Sequence, residues 1–391
     1  MRKALFSLAS LAAALLVATA ANAQNTVKIG LILSYSGQFA DTAAQMDNGI
    51  KLYMKQKGDT VAGKKIEIIR KDTGGVAPDV ATRLAQELIV RDNVDILAGF
   101  ALSPNAMAVS KISSEGKKFM VIMNAATSVI VTMSPFSVRT SMTLPSVAET
   151  AAIWAYKSGV RKVYTMVSDF APGKDAEEAF HRAFKAAGGE IVGSVRMPVA
   201  NPDFSAFVQR AKDIDPESIF IFVPGGAQPA ALGKTFAERG VDPNKVKIIG
   251  TGEVVDETAL KSMGNAALGI VTVWHYDYNH DSKLNKDFVK AFNAEFKRNP
   301  DFFAVGGYDG MHVIYEALKK AGGKTDAESL TNAAKGMKWE SPRGTIAIDA
   351  ASRDIVQTIY VRQVRKVGDQ LLNVEFDRVP NVIDPLHRAK K

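Results

Sequence analysis

The chain has 391 residues, 47% of them hydrophobic, with 49 Lys and Arg against 41 Asp and Glu, a formal net charge of +8 and no cysteine. The lack of cysteine excludes disulfides and a lipid anchor built on a Cys at a signal cleavage site, so stability must come from an ordinary core, which this length can supply. The basic residues are interspersed with acidic ones or occur as pairs such as Lys117-Lys118, Lys319-Lys320 and Lys390-Lys391, which argues against a nucleic-acid footprint.

Arg2 and Lys3 precede an apolar stretch, Leu5–Ala21, and Ala21-Asn22-Ala23 offers the small-x-small pattern of a signal-peptidase site. Residues 1–23 therefore read as a signal peptide, with the mature chain starting near Gln24 and located in the periplasm. An uncleaved anchor is the alternative reading of the same stretch. No later segment has eighteen uninterrupted apolar residues, so no membrane insertion is expected.

From Val27 onward, short apolar runs alternate with amphipathic stretches. Val27–Leu33, Ile66–Asp72, Asp95–Phe100 and Phe119–Asn124 read as strands; 43–57, Pro78–Arg91 and Pro104–Glu115 read as helices. Near-continuous apolar strands mark a parallel sheet covered on both faces, and the strand–helix–strand repeat builds a doubly wound α/β layer. The rhythm breaks over Phe136–Pro145. A second series follows, with helices at Val147–Lys157, Asp175–Ala187, Asp203–Ile214 and Ala230–Arg239. Its strands are Lys162–Ser168, Glu190–Met197, Ser218–Pro224, Val246–Gly250 and Gly269–His275. Residues 282–337 read as helix and 345–364 as strand. The helical block has no strands of its own, so it is expected to cover the first sheet while the closing strands return to the second. The expectation is two lobes, 24–140 with 276–343 and 141–275 with 344–391, joined by crossovers near 140, 275 and 343 that act as a hinge.

Enzyme signatures are thin. Gly250-Thr251-Gly252 follows a strand, but Val255 stands where a dinucleotide fingerprint needs a third small residue. Gly233-Lys234-Thr235 resembles the end of a phosphate loop whose leading glycine is replaced by Gln228. There is no Gly-x-Ser-x-Gly elbow. His275 and His280 with Asp277 and Asp281 form the one cluster that suggests a metal, at a spacing that matches no common site. No cofactor, no metal and no catalysis are expected; a secreted α/β hydrolase or oxidoreductase is the alternative from another class.

The informative positions lie past the strand ends, where open parallel sheets bind ligands. Leu102-Ser103-Pro104 follows one strand and Asn124-Ala125-Ala126-Thr127-Ser128 the next. Pro104 makes Ser103 a candidate N-cap, so hydroxyls and backbone N–H groups at two adjacent helix or loop starts would form an uncharged cradle for a carboxylate. The same residues read equally well as an ordinary cap and an ordinary loop.

Several further stretches carry a resemblance: Lys28-Ile29-Gly30 leading into Ser36-Gly37-Gln38-Phe39-Ala40; Gly49; Asp72; Gly99 followed by Ser103; Ala125-Ala126-Thr127; and Arg139-Thr140. Downstream come Asp169-Phe170-Ala171-Pro172-Gly173-Lys174-Asp175, Asp203-Phe204 and Tyr308-Asp309. In their order and spacing, over essentially the whole mature chain, they resemble the branched-chain amino-acid type of periplasmic binding protein, the type I solute receptors of ABC importers. The resemblance implies a membrane permease as partner and a carboxylate ligand held at Ser103, Ala125 and Thr127, with Leu102 and Ala126 beside them. In the other lobe it implies contacts from Phe170, Gly226, Ala227 and Glu253. Pro172 stands where amino-acid binders carry Tyr, and Ala227 where they often carry an aromatic, so the ammonium end departs from the pattern. Glu253 matches the acid that pairs the ammonium to within a residue. An aromatic or other organic acid is slightly favoured as ligand, with Phe39 and Phe170 as stacking candidates, although core packing accounts for Phe39 at least as well; a branched-chain or related amino acid is the alternative. Tyr308 is expected to pack near the hinge.

Overall fold

Apolar runs flanked by turn residues set the frame of the molecule. The structure is a computed structural model that describes residues 26–200, 203–243 and 245–388; the expected signal peptide lies outside them. The first series runs β1 (Thr26–Leu33), α1 (Ala40–Lys57), β2 (Thr60–Val61), β3 (Lys64–Asp72), α2 (Pro78–Val90), β4 (Ile96–Gly99), α3 (Ser103–Glu115), β5 (Phe119–Ile122) and β6 (Ser137–Arg139). Its sheet has the order β2-β3-β1-β4-β5-β6, parallel except at the short β2 edge. Every residue of β4 and β5 is buried, as expected for strands covered on both faces.

The second series runs α4 (Leu144–Lys157), β7 (Lys162–Ser168), α5 (Ala171–Ala186), β8 (Glu190–Met197), α6 (Ser205–Ile214), β9 (Ser218–Phe222), α7 (Ala227–Glu238), β10 (Lys247–Thr251), α8 (Glu257–Met263) and β11 (Val271–Trp274). Helices α9 (Lys283–Phe296), α10 (Phe302–Lys320) and α11 (Ala327–Ala334) come next. The chain closes with β12 (Lys338–Ser341), β13 (Gly344–Ile348), β14 (Ile355–Val367) and β15 (Gln370–Val382). The second sheet has the order β12-β13-β14-β11-β10-β9-β7-β8, with β15 paired to β14. It is parallel from β11 to β8 and antiparallel from β14 outward. Among the elements that escape the periodicity reading, two do so for clear physical reasons. Helix α8 has seven residues, too few to show a repeat, and β15 is an edge strand carrying Pro380 and exposed charges.

Helix α10 lies along α1 on the first sheet at glycine contacts. A Cβ at Gly49 would collide with the Ala304 carbonyl, and one at Gly307 with the Met46 carbonyl. Gly49→Ala should therefore lower stability by roughly 1–3 kcal/mol through overpacking, read as a lower denaturant midpoint at unchanged slope. A variant as stable as its parent would contradict so close a crossing.

The chain passes between the sheets three times: between β6 and α4, between β11 and α9, and between α11 and β12. Polar groups are buried at these crossings. Arg343 donates to Asp309 Oδ2 at 2.9 Å and to the carbonyls of Thr140 and Ser141. Asp309 also accepts from Trp339 Nε1 at 3.1 Å and Ser341 Oγ at 2.9 Å. Tyr308, expected at these crossings, instead packs on Tyr53 and Phe288 and donates to Gln56. One residue along a helix turns the side chain by about 100°, so Asp309 faces the crossings and Tyr308 does not.

Candidate functional site

Strands β4 and β5 end side by side, and the turns beyond them make one wall of a cleft. Phe100 takes a left-handed conformation, φ 65°, directly after β4, a strained geometry that clusters at binding sites. Its N–H bonds the Ile32 carbonyl and its own carbonyl accepts from Ala125 N–H at 2.8 Å, which locks the two turns together. Helix α3 then starts at Ser103, with Leu102 in the N-cap position. Ser103 is thus inside the helix, and its hydroxyl does not cap it.

That hydroxyl instead crosses to the next turn. Ser103 Oγ accepts from Ala126 N–H at 3.0 Å and from Thr127 N–H at 3.2 Å. With both lone pairs used, the hydroxyl has only its proton left to offer, polarised by two donors behind it. Such a group favours an anion. Thr127 is buried beside it, with the Asp175 carboxyl as the neighbour of its hydroxyl. The turn is held from below by Arg139, which is fully buried and donates to the carbonyls of Ala125 and Thr127 at 2.6 and 2.8 Å while pairing with Asp354 at 2.9 Å. The Arg139 charge is therefore spent on the backbone and on Asp354.

The facing wall comes from the second sheet. Phe170 stacks on Phe222 with ring centroids 5.9 Å apart, and Pro172 and Gly225 continue that surface. Phe39 and Phe303 close it from the first sheet's side. Glu253 follows β10 and is 4% exposed, with Oε2 unpartnered. Burial pushes its carboxyl up to about 8; the neighbouring Asp256 adds to this, and Arg362 and the Thr251 side chain oppose it. At neutral pH Glu253 is mostly a neutral acid. Asn124 Nδ2 is held by the Ala101 carbonyl at 2.9 Å, which leaves its Oδ1 as an unpartnered acceptor at the same cavity. Among the described residues, the cavity lining contains no Lys or Arg.

The walls stand close. Gln38 Nε2 donates to Val199 O at 3.3 Å across the cleft. A Cβ at Gly226 (φ 100°) would lie 2.5 Å from the Gln38 carbonyl, so only glycine fits there. The free volume between the walls is about 30 Å³, room for a few waters at most. A ring can enter only if the walls part.

Of the residues expected from the sequence, Leu102, Ser103, Ala126, Phe39, Phe170 and Glu253 line this cavity. Ala125 and Thr127 are buried just behind it, and Gly226 sits at the cross-cleft contact. Ala227 is exposed at the start of α7, and Gly225 takes the place expected for it. Met142, Leu144, Phe222 and Phe303 were not expected. The adjacent aromatics Phe302-Phe303, directly after the helix cap Asp301, were the available signal for the last. His275 and His280, grouped as a metal candidate, diverge. His275 is buried between Trp274 and Phe302, whereas His280 Nδ1 contacts Glu375 at 2.9 Å.

Comparison with known proteins matches residues 26–369 to the family model described as periplasmic binding protein. The chain is 43% identical over 366 residues to the Leu/Ile/Val-binding protein homolog 6 of Brucella melitensis biotype 1, covering 93% of each chain. It is similar to the solute binding protein of an ABC transporter from Rhodopseudomonas palustris BisB5, solved in complex with 3,4-dihydroxy benzoic acid. There the identity is 51% and the TM-score 0.90, over 93% of this chain and all of that one. A second such protein, from Rhodopseudomonas palustris HaA2 in complex with p-hydroxybenzoic acid, is 39% identical with a TM-score of 0.89, over 93% of this chain and 99% of that one.

Proposed function

The chain belongs to the periplasmic binding protein family, as the solute-binding component of an ABC importer, and from that premise we propose that its solute is a hydroxybenzoate-type aromatic carboxylate. The observation that carries this reading is the Ser103 hydroxyl, with both lone pairs engaged and only its proton left to offer, at a cavity whose described lining holds no Lys or Arg. The ligand carboxylate docks on Ser103 and Thr127; the ring lies among Phe39, Phe170, Phe222 and Phe303; and a ring hydroxyl meets Asn124 Oδ1 and the protonated Glu253. The solved relatives with dihydroxy- and p-hydroxybenzoic acid support this choice.

The halves that close on the ligand are 24–140 with 276–343 and 141–275 with 344–391, the crossings near 140, 275 and 343 forming the hinge. Contacts made only in the closed form supply the differential affinity that shifts the population toward it. The closed form then docks on the membrane permease of the importer. Residues 1–23 direct the chain to the periplasm and are removed.

Calorimetric titration of the mature chain with 4-hydroxybenzoate, 3,4-dihydroxybenzoate, benzoate and leucine tests the reading. A hydroxybenzoate should bind more tightly than leucine by at least roughly tenfold, or 1.4 kcal/mol. Tighter binding of leucine, isoleucine or valine would overturn it.

An amino-acid ligand is the second reading, favoured by one observation, the buried acid Glu253 with a free oxygen. Glu253→Gln separates the two. An ammonium needs the carboxylate, so glutamine would abolish amino-acid binding. For benzoate, which has no phenol to titrate, the variant should bind within a few-fold of the parent at pH 7. The parent should then lose affinity as the pH rises past about 8, because an ionised Glu253 repels the anion. The variant should not follow that decline.

A further inference from the structure

A second cavity, of about 400 Å³, lies back to back with the carboxylate site. The two share a wall: Gly252 and Phe302 face the larger cavity, and their chain neighbours Glu253 and Phe303 face the smaller. Its lining comes from both sides of the cleft, with Gln45 and Asp301 on one side and Glu257 and Asn373 on the other.

Two buried acceptors in that lining are unused. Gln45, 2% exposed, donates through Nε2 to the Asn299 carbonyl at 3.1 Å, which leaves Oε1 unpartnered. Asn373, 4% exposed, donates through Nδ2 to the Val255 carbonyl at 2.9 Å, which leaves Oδ1 unpartnered. Both amide orientations are fixed by these bonds, so both sites ask for a donor. The cations of the lining are already engaged: Arg298 with Asp41, Lys261 with Glu257, Arg362 with Asp277, and Lys297 Nζ with the Ala294 carbonyl. Asp301 caps α10 through Phe303 and Ala304 N–H and, among the described residues, forms no ion pair; burial pushes its carboxyl up to about 8, a neutral acid that an adjacent cation would ionise. Tyr278 and Phe296 add aromatic surface of the kind that attracts a cation.

We propose that this interlobe cavity binds a small organic ammonium ion, received by Gln45 Oε1, Asn373 Oδ1 and Asp301, and that its occupancy strengthens carboxylate binding next door. Coupling follows because the ion touches both halves only when they are together, which favours the closed arrangement the carboxylate also selects. This goes beyond the solute assigned above and stands on different residues.

The test titrates the mature chain calorimetrically with putrescine, ethanolammonium and guanidinium chloride, with and without saturating 4-hydroxybenzoate, against matched KCl and against glycerol. The expected result is one site per chain and a 4-hydroxybenzoate affinity raised roughly fivefold or more, with the reciprocal effect on the amine. Gln45→Leu and Asn373→Leu should each weaken the amine roughly tenfold, as for loss of a hydrogen bond to a charged group, with 4-hydroxybenzoate affinity in the absence of amine unchanged. If Gln45→Leu fails to fold, Asn373→Leu and the amine titration of the parent chain carry the test. Amine heats no greater than KCl, binding of glycerol alone, or unaltered amine affinity in the variants would each overturn the proposal. A failure of 4-hydroxybenzoate to bind at all would remove the solute assignment, and the direct amine titration would still decide this site.

Discussion

Ser103→Ala should weaken binding of 4-hydroxybenzoate roughly 10- to 150-fold, the 1.5–3 kcal/mol of a hydrogen bond to a charged group. Two losses act together. The ligand loses a donor whose lone pairs are both held by backbone N–H groups, and Ala126 N–H and Thr127 N–H lose their acceptor in a buried turn. The second loss predicts a fall in stability of the unliganded chain as well, by about 1–3 kcal/mol for a buried donor left unmade. Thr127→Val should weaken the ligand with a smaller fall, because Thr127 gives up one side-chain contact, to Asp175, and no backbone N–H loses its acceptor. Calorimetry and denaturant unfolding on both variants distinguish the two effects. Unchanged affinity in both variants would place the carboxylate elsewhere and remove the site.

How much of this was legible in the sequence depended on the range of the interaction involved. Strands such as β4 and β5 announce themselves by unbroken apolar runs, and the turns after them could be located from Ser103-Pro104 and Asn124–Ser128 alone. The place of Ser103 is legible in the sequence, but the partners of its hydroxyl are not. Its position at the strand end was visible, but the residue its hydroxyl would serve lies on a turn more than twenty residues away, so a local cap was the natural reading. Arg139 was marked only as part of a resemblance; that its guanidinium holds the Ala125–Ser128 turn depends on β6 lying beside β5, which no local pattern states. Ala227 was misplaced by a short step in the loop after β9, where Gly225 faces the cavity and Gly226 turns the chain away. Phe303 and Phe222 reach the cleft from segments far apart in the chain, which is why the aromatic wall was seen only in part.

The least legible feature carries the largest expected effect. Arg343→Met should destabilise the protein by about 3–5 kcal/mol, the cost of leaving one partner of a buried ion pair without the other. Arg343 is fully buried, and its bonds reach Asp309 on α10, the Thr140 and Ser141 carbonyls at the first crossing, and Gln357 on β14. Methionine keeps much of the volume but strands the Asp309 carboxylate with Trp339 and Ser341 as its remaining donors. Burial pushes the Arg343 guanidinium down from its usual range and Asp309 opposes this most strongly; each is the other's buried counter-charge, so neither member is tolerated alone. Adding Asp309→Leu to Arg343→Met should recover a large part of the loss, because a dry apolar pair replaces an unpaired charge. Denaturant unfolding of the two single variants and the double variant measures the coupling. A single variant that loses less than about 1 kcal/mol would mean that water reaches this junction, and the first and third crossings would then lack the buried anchor that Arg343 gives them.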